Sequence, residues 1–165
     1  MKPVKLTGIQ YAALPYRLEG RRVEVLLVTS RRTRRWIIPK GWPMNGLTAP
    51  QAAATEAVEE AGIVCEIAYR PIGSYRYLKV LKNNHDTMAI QVIVFPFLVE
   101  DSVGAFKEEG QRTAKWFDYR QAATLVAEPS LRRLIREFGG ARTGGFLARS
   151  LRRYRAWRFG ERAPA

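Results

Sequence analysis

TAPQAAATEAVEEAGI, running from Thr48 to Ile63, decides how this chain is read. Thr48 is a good helix N-cap, Gln51 stands where the partner of a capping box belongs, and Pro50 is tolerated in a first turn. The spacing predicts a helix over Ala49 to Ala61, ended by Gly62 as the residue beyond its last turn. Its apolar side carries only small residues, Ala53, Ala54, Ala57, Val58 and Ala61, which lets the axis lie close against a sheet. Glu56, Glu59 and Glu60 are spaced i, i+3 and i+4, so three carboxylates share one patch of the helix. They also fall in the last turn, where the helix dipole repels negative charge. Folding alone gains nothing from that arrangement. A divalent cation turns the repulsion into chelation, because carboxylate oxygens are the ligands Mg²⁺ takes.

Upstream of the helix, Gln10 to Leu18 and Val23 to Ser30 read as strands around a turn at Glu19-Gly20-Arg21. Trp36 to Ile38 is a short strand stopped by Pro39, and Lys40 to Leu47, with two Gly and one Pro, reads as a loop. Downstream, Ile63 to Val80 and Thr87 to Val99 read as long strands joined by a polar turn over 82–86. Thr113 to Phe117 is a further strand. Asp118 with Gln121 resembles a second capping box opening a helix over Tyr119 to Val126. Ser130 reads as the cap of another helix, stopped by Gly139-Gly140. Strands, a loop-helix, strands and then helices imply an α+β or mixed α/β layer fold.

A chain of 165 residues is large enough for one domain with a core of its own. An apolar fraction of 47% argues against a disordered chain. The net charge of +13 favours anionic partners such as polyphosphates, nucleic acid or an acidic surface. From Leu131 onward ten Arg face only Glu137 and Glu161, so most of that charge lies at the end of the chain. Phe146 to Phe159 reads as an amphipathic basic helix, giving a division into 1–140 and a basic tail, 141–165. The tail is a candidate for RNA or membrane contact, or for docking on the domain or on a second copy in a homodimer. Cys65 is alone, so no intrachain disulfide forms, which fits a cytoplasmic protein. No signal-like segment opens the chain, and no run approaches 18 uninterrupted apolar residues, so no transmembrane segment is expected.

Gly41, Glu56, Glu59, Glu60, Gly62 and Ile63 fall at the spacing of the Nudix box. Trp36 to Gly41 also looks like the strand that enters a Nudix loop, and the order of strands and helices agrees over residues 8–138. The chain therefore resembles Nudix hydrolases. Pro39-Lys40-Gly41 and the surrounding basic residues are most similar to diphosphoinositol polyphosphate phosphohydrolases and their bacterial relatives. Leu47 and Thr55 depart from the box, standing where it has Glu and Arg. A Thr55 hydroxyl can reach Glu59 but brings no charge; losing a supporting Arg implies a cost on the order of 10- to 100-fold.

The resemblance implies an α/β/α sandwich around a mixed sheet and a pyrophosphohydrolase using Mg²⁺, or Mn²⁺ in its place. Its substrate is an anionic polyphosphate: an inositol pyrophosphate, a dinucleoside polyphosphate or a nucleotide. Glu56 and Glu60 are then metal ligands, Glu59 a ligand or the group that polarises the water, and Gly41 part of the metal site. Arg34, Arg35 and Lys40 are candidates for holding phosphate oxygens. Glu108 and Glu109, ahead of the strand at Thr113, are candidates for an additional base. Trp42, Tyr75 and Tyr77 can stack on a base or pack. The departures at Leu47 and Thr55 keep a second reading open, a Nudix scaffold that binds a polyphosphate or RNA without cleaving it.

Overall fold

Apolar alternation along the first and the seventh strand builds the centre of the molecule. In the computed structural model, which describes residues 6–81 and 87–143, β1 (Leu6–Glu19) and β7 (Thr87–Ser102) lie parallel. Their register runs from Leu6 opposite Ala89 to Tyr16 opposite Leu98. The other pairings are antiparallel. β2 (Arg22–Thr29) pairs with β1, with β3 (Trp36–Ile37) and with β8 (Ala114–Asp118). β4 (Lys40–Gly41) pairs with β1 at Tyr11 and Ala12, while β5 (Ile63–Glu66) and β6 (Gly73–Val80) both pair with β7. Pro96 falls where β7 changes partner from β6 to β5, and Pro15 falls where β1 changes from β4 to β2. Both rings sit in gaps of a ladder, where a missing N–H costs least.

Because side chains alternate across a strand, the sheet has two apolar faces. Ala12, Leu14, Val25, Leu27, Val92 and Val94 pack beneath α2 (Tyr119–Leu125) and α3 (Pro129–Thr143). Ala13, Leu26, Val28, Phe95 and Phe97 pack beneath Ala53 and Ala57 of α1 (Ala49–Ala61). Phe97 and Leu14 are fully buried, and each such side chain stabilises the fold by about 1.5–3 kcal/mol. The result is an α/β/α sandwich with a mixed sheet, as the sequence predicts.

Three local expectations are corrected and one is met. Ile63 to Val80 is two strands separated by residues 67–72, with Pro71 in the gap and Gly73, at φ +151°, opening β6. Lys40-Gly41 is a short strand rather than loop, zipped to β1. Asp118 caps α2 as expected, accepting from the Arg120 N–H at 2.9 Å. Gly139-Gly140 does not stop the third helix, which starts at Pro129 and continues to Thr143, so a boundary at 140 falls inside it. Gly139 faces the Tyr119 ring so closely that a Cβ would overlap it. That glycine serves the α2–α3 contact. The turn over 82–86 and residues 144–165 of the basic tail lie outside the described residues.

The end of α1 is built as the sequence predicts and then fastened further. Thr48 N–H donates to Gln51 Oε1 at 2.8 Å at its start. At its end Gly62 takes the left-handed conformation, φ +66° and ψ +30°, with its N–H on the last carbonyls. Phe106 lies where a Gly62 side chain would be, Val103 N–H donates to Gly62 O, and Glu108 N–H donates to Glu59 O. The loop between β7 and β8 is therefore strapped across the acidic end of the helix. Gly62→Ala pays for both the left-handed backbone and a displaced Phe106, with an expected loss of about 1–3 kcal/mol in urea unfolding. A variant as stable as the wild type would mean that Phe106 is not held there.

Candidate active site

α1 presents its acidic patch to a cleft of about 680 Å³ that Glu56, Glu59 and Glu60 line together with Glu108. Gly41 places β4 directly over Glu56; a Cβ there would overlap the Glu56 carboxylate. Glu60 is buried and held from two directions. Its Oε2 accepts from the Lys40 backbone N–H at 3.3 Å, and its Oε1 from Arg112 Nη2 at 2.6 Å. Arg112 also donates through Nε to Glu108 and through Nη1 to Thr29 O at 3.0 Å. Glu108 is bridged in turn to Arg31 at 3.3 Å, and Glu59 Oε2 meets Lys107 Nζ at 2.8 Å.

Burial, and then the charges of Glu59 and Glu108, raise the Glu56 carboxyl above the ordinary range. Burial pushes Glu60 up to about 7, against the downward pull of Arg112 and Lys40. The folded state thus holds the Glu60 proton more tightly than the unfolded chain does. Its stabilising effect is complete below pH 4.5 and is lost as pH rises to about 7. Metal-free protein is expected to lose on the order of 3 kcal/mol more stability between pH 4 and pH 8 than Glu60→Gln does. Parallel pH profiles of Tm for the two proteins would contradict this.

The same cleft is also basic and aromatic, and a fifth carboxylate, Glu128, lines it too. Arg31, Arg32, Arg35, Lys40 and Lys79 line it, with Tyr75, Tyr77 and Trp42. Lys40 Nζ sits 5.6 Å from the centre of the Tyr77 ring, and Lys79 Nζ 5.0 Å from that of Trp42. Burial holds the Lys40 ammonium below its usual range, partly offset by Glu60 and Glu128. Tyr75 is buried, and Tyr77 spends its hydroxyl on Gln10 at 2.8 Å, so Trp42, 41% exposed, has the more accessible ring.

The sequence-predicted residues do not all converge. Glu56, Glu59, Glu60, Gly41, Arg35, Lys40 and Glu108 line the cleft; Arg34 and Glu109 do not. Arg34, with φ of +55°, turns its guanidinium onto Gln111 O at 2.9 Å and Thr113 Oγ1 at 3.1 Å. The Thr55 hydroxyl donates to Gln51 O at 3.0 Å instead of reaching Glu59. Arg112, Lys107, Arg31 and Lys79 were not legible. Arg112 is 52 residues from Glu60 in a non-helical segment, so no periodicity announces the pair.

As a donor set, the four carboxylates fit a hard divalent cation such as Mg²⁺. That ion is commonly held by one or two carboxylates, waters and substrate phosphate rather than by a protein cage. Among the described residues no group of three or more His, Cys, Asp or Glu is drawn together as such a cage.

The fold and this acidic helix end place the chain in one class: the NUDIX domain profile matches residues 8–138, and the chain belongs to that family. Curated relatives include Nudix hydrolase 21, chloroplastic, of Arabidopsis thaliana, 28% identical over 76% of this chain and 63% of its own length. Nudix hydrolase 16, mitochondrial, of the same plant is 29% identical over 67% of this chain and 62% of its own. The chain thus spans about three fifths of the length of these relatives. Among solved structures, a C. elegans Ap4A hydrolase binary complex superposes with a TM-score of 0.61 at 22% identity, covering 84% of this chain and 99% of that one. The NUDIX domain of Shewanella oneidensis NrtR, complexed with ADP ribose, gives 0.60 at 13% identity, over 81% and 88%. At these identities the superpositions speak for the fold.

Proposed function

We propose that this chain hydrolyses a diphosphate linkage, P–O–P, in an anionic polyphosphate with the help of Mg²⁺ or Mn²⁺. The observation that carries this reading is one cleft lined by five carboxylates, four of them on α1 and the strap across its end, and by seven cationic side chains. Polyphosphate and carboxylates repel, so a substrate can lie beside the acidic patch only with positive charge next to it. A bound divalent cation supplies that charge and acidifies water for attack on phosphorus. Glu56 and Glu60 are assigned as its ligands beside the Gly41 backbone, and Glu59 as a ligand or as the group that polarises the water. Glu108, tied to Arg112, is the candidate additional base. Arg31, Arg32, Arg35, Lys40 and Lys79 orient phosphate oxygens, Arg and Lys being suited to them as fork and point charge.

Seven cationic side chains, with Trp42 as the most exposed ring of the cleft, favour a substrate rich in phosphate, such as an inositol pyrophosphate, over a mononucleotide. Dinucleoside polyphosphates stand between these; the C. elegans relative is an Ap4A hydrolase, and that likeness is support for including them. The test is a panel of all three with and without Mg²⁺ or Mn²⁺, products being weighed by mass spectrometry to locate the broken bond. Release of phosphate or mononucleotide only with metal supports the reading; no turnover on the whole panel overturns it.

One observation favours the second reading. Lys107 and Arg112 already neutralise Glu59 and Glu60, as a non-catalytic polyphosphate-binding scaffold would require. Ligand affinity that survives Glu60→Gln, with no turnover by the wild type, is its signature. RNA binding through 141–165 predicts a flatter salt dependence after truncation, and sedimentation tests a homodimer. No helix of the described residues is long and apolar enough to cross a membrane. Cytoplasmic residence rests on the lone Cys65, and cell fractionation tests it.

A further inference from the structure

The Nudix box has an Arg at the position this chain fills with Thr55, whose hydroxyl is spent on the backbone of its own helix. A guanidinium nevertheless reaches the acidic patch. Arg112 brings it from the strap before β8, and both it and Glu60 are buried, with side chains 7% and 6% exposed. Three of its N–H groups are used, on Glu60, Glu108 and Thr29 O. Its base is fixed independently of α1. Thr29 N–H donates to Thr113 O, and Thr113 N–H donates to Thr29 Oγ1, both at 2.9 Å. The planar fork therefore transmits the position of β2 to two carboxylates on different segments. An ammonium at 112 could not make all three bonds in that geometry.

We infer that Arg112 is the positioning residue of this site, holding Glu60 and Glu108 in place of the basic group absent at 55. The inference rests on the hydrolase reading and concerns orientation of the carboxylates, since Nε, Nη1 and Nη2 of Arg112 are each already engaged by a protein partner.

The test compares wild type, Arg112→Gln, Arg112→Lys, Thr55→Arg and each 112 variant combined with Thr55→Arg. Mn²⁺ affinity is read by electron paramagnetic resonance, beside kcat, KM and Tm. Arg112→Gln is expected to weaken Mn²⁺ binding and lower kcat by about 10- to 100-fold, as lost supporting contacts at metal sites do, with KM within about threefold. Arg112→Lys, which keeps the charge and so protects the fold, should fall between. Thr55→Arg should be silent alone and restore about tenfold in either 112 background, because the second charge is redundant only while the first is present. Wild-type affinity and kcat in Arg112→Lys or Arg112→Gln, or tighter Mn²⁺ binding, overturns the inference, as does a 112 defect that Thr55→Arg leaves untouched. A wild type that neither binds Mn²⁺ nor turns over any substrate removes the hydrolase reading itself. Those two failures are distinct.

Discussion

Glu60→Gln is expected to lower turnover of any substrate by about three orders of magnitude, some 4 kcal/mol of barrier, with the fold intact. The amide keeps the volume of the carboxyl and can still accept from Arg112, giving up only the 3.3 Å bond from the Lys40 N–H, which its NH2 cannot accept. What it cannot do is carry charge. Glu60 is the carboxylate held most firmly, with Arg112 on one oxygen and the Lys40 amide on the other, and so the one with least freedom to be replaced by a neighbour. Glu59, by contrast, meets a Lys107 whose side chain is 67% exposed. The measurement is kcat at saturating Mg²⁺ with circular dichroism as the control for folding. Turnover within tenfold of the wild type would move the catalytic assignment off this residue.

Gly41→Ala is the second large effect. A single methyl placed on β4 would occupy the volume of the Glu56 carboxylate, which must then leave its place over the cleft. β4 cannot retreat, because Lys40 and Gly41 are paired to Ala12 and Tyr11 in the centre of the sheet. The strain is therefore relieved by the flexible end of Glu56. Misplacement by about 1 Å costs roughly 10²-fold where reacting groups must be aligned, and this is the loss expected in kcat. Stability should change far less, since Glu56 is not part of either apolar cluster. A fully active Gly41→Ala would show that Glu56 is dispensable. A variant that unfolds would show instead that the glycine serves packing alone.

The helix that carries the site was legible because its signals are local. Thr48, Gln51, Pro50 and Gly62 mark the ends of a helix of 13 residues, and Glu56, Glu59 and Glu60 are fixed relative to each other by helical geometry. Gly41 was legible only through the spacing of a known motif. Its physical reason, contact with Glu56, spans two elements. What surrounds the carboxylates was not legible, for the same reason. Arg112, Lys107 and Arg31 come from loops whose path is set by long-range contacts such as Phe106 on Gly62. Arg34 was misplaced because four Arg in 31–35 look equivalent in sequence, whereas the positive φ at one of them turns it away. Gly139 misled in the opposite sense: read as punctuation, it is a packing surface for Tyr119. Ile63 to Val80 read as one strand because apolar content outweighed Pro71, in the gap, and Gly73, at the start of β6.

The parallel pairing of β1 with β7 sets the order of events during synthesis. The first strand emerges from the ribosome with its hairpin partner β2 close behind, but its other edge must wait until residues beyond Thr87 have been made. Until then, a row of backbone N–H and C=O groups along one edge of the nascent strand has no partner, and α1 has only part of the surface on which it will rest. Refolding should be governed by this late closure, as in other topologies where distant segments meet. A fragment that stops short of Thr87 should remain soluble only with a chaperone's help.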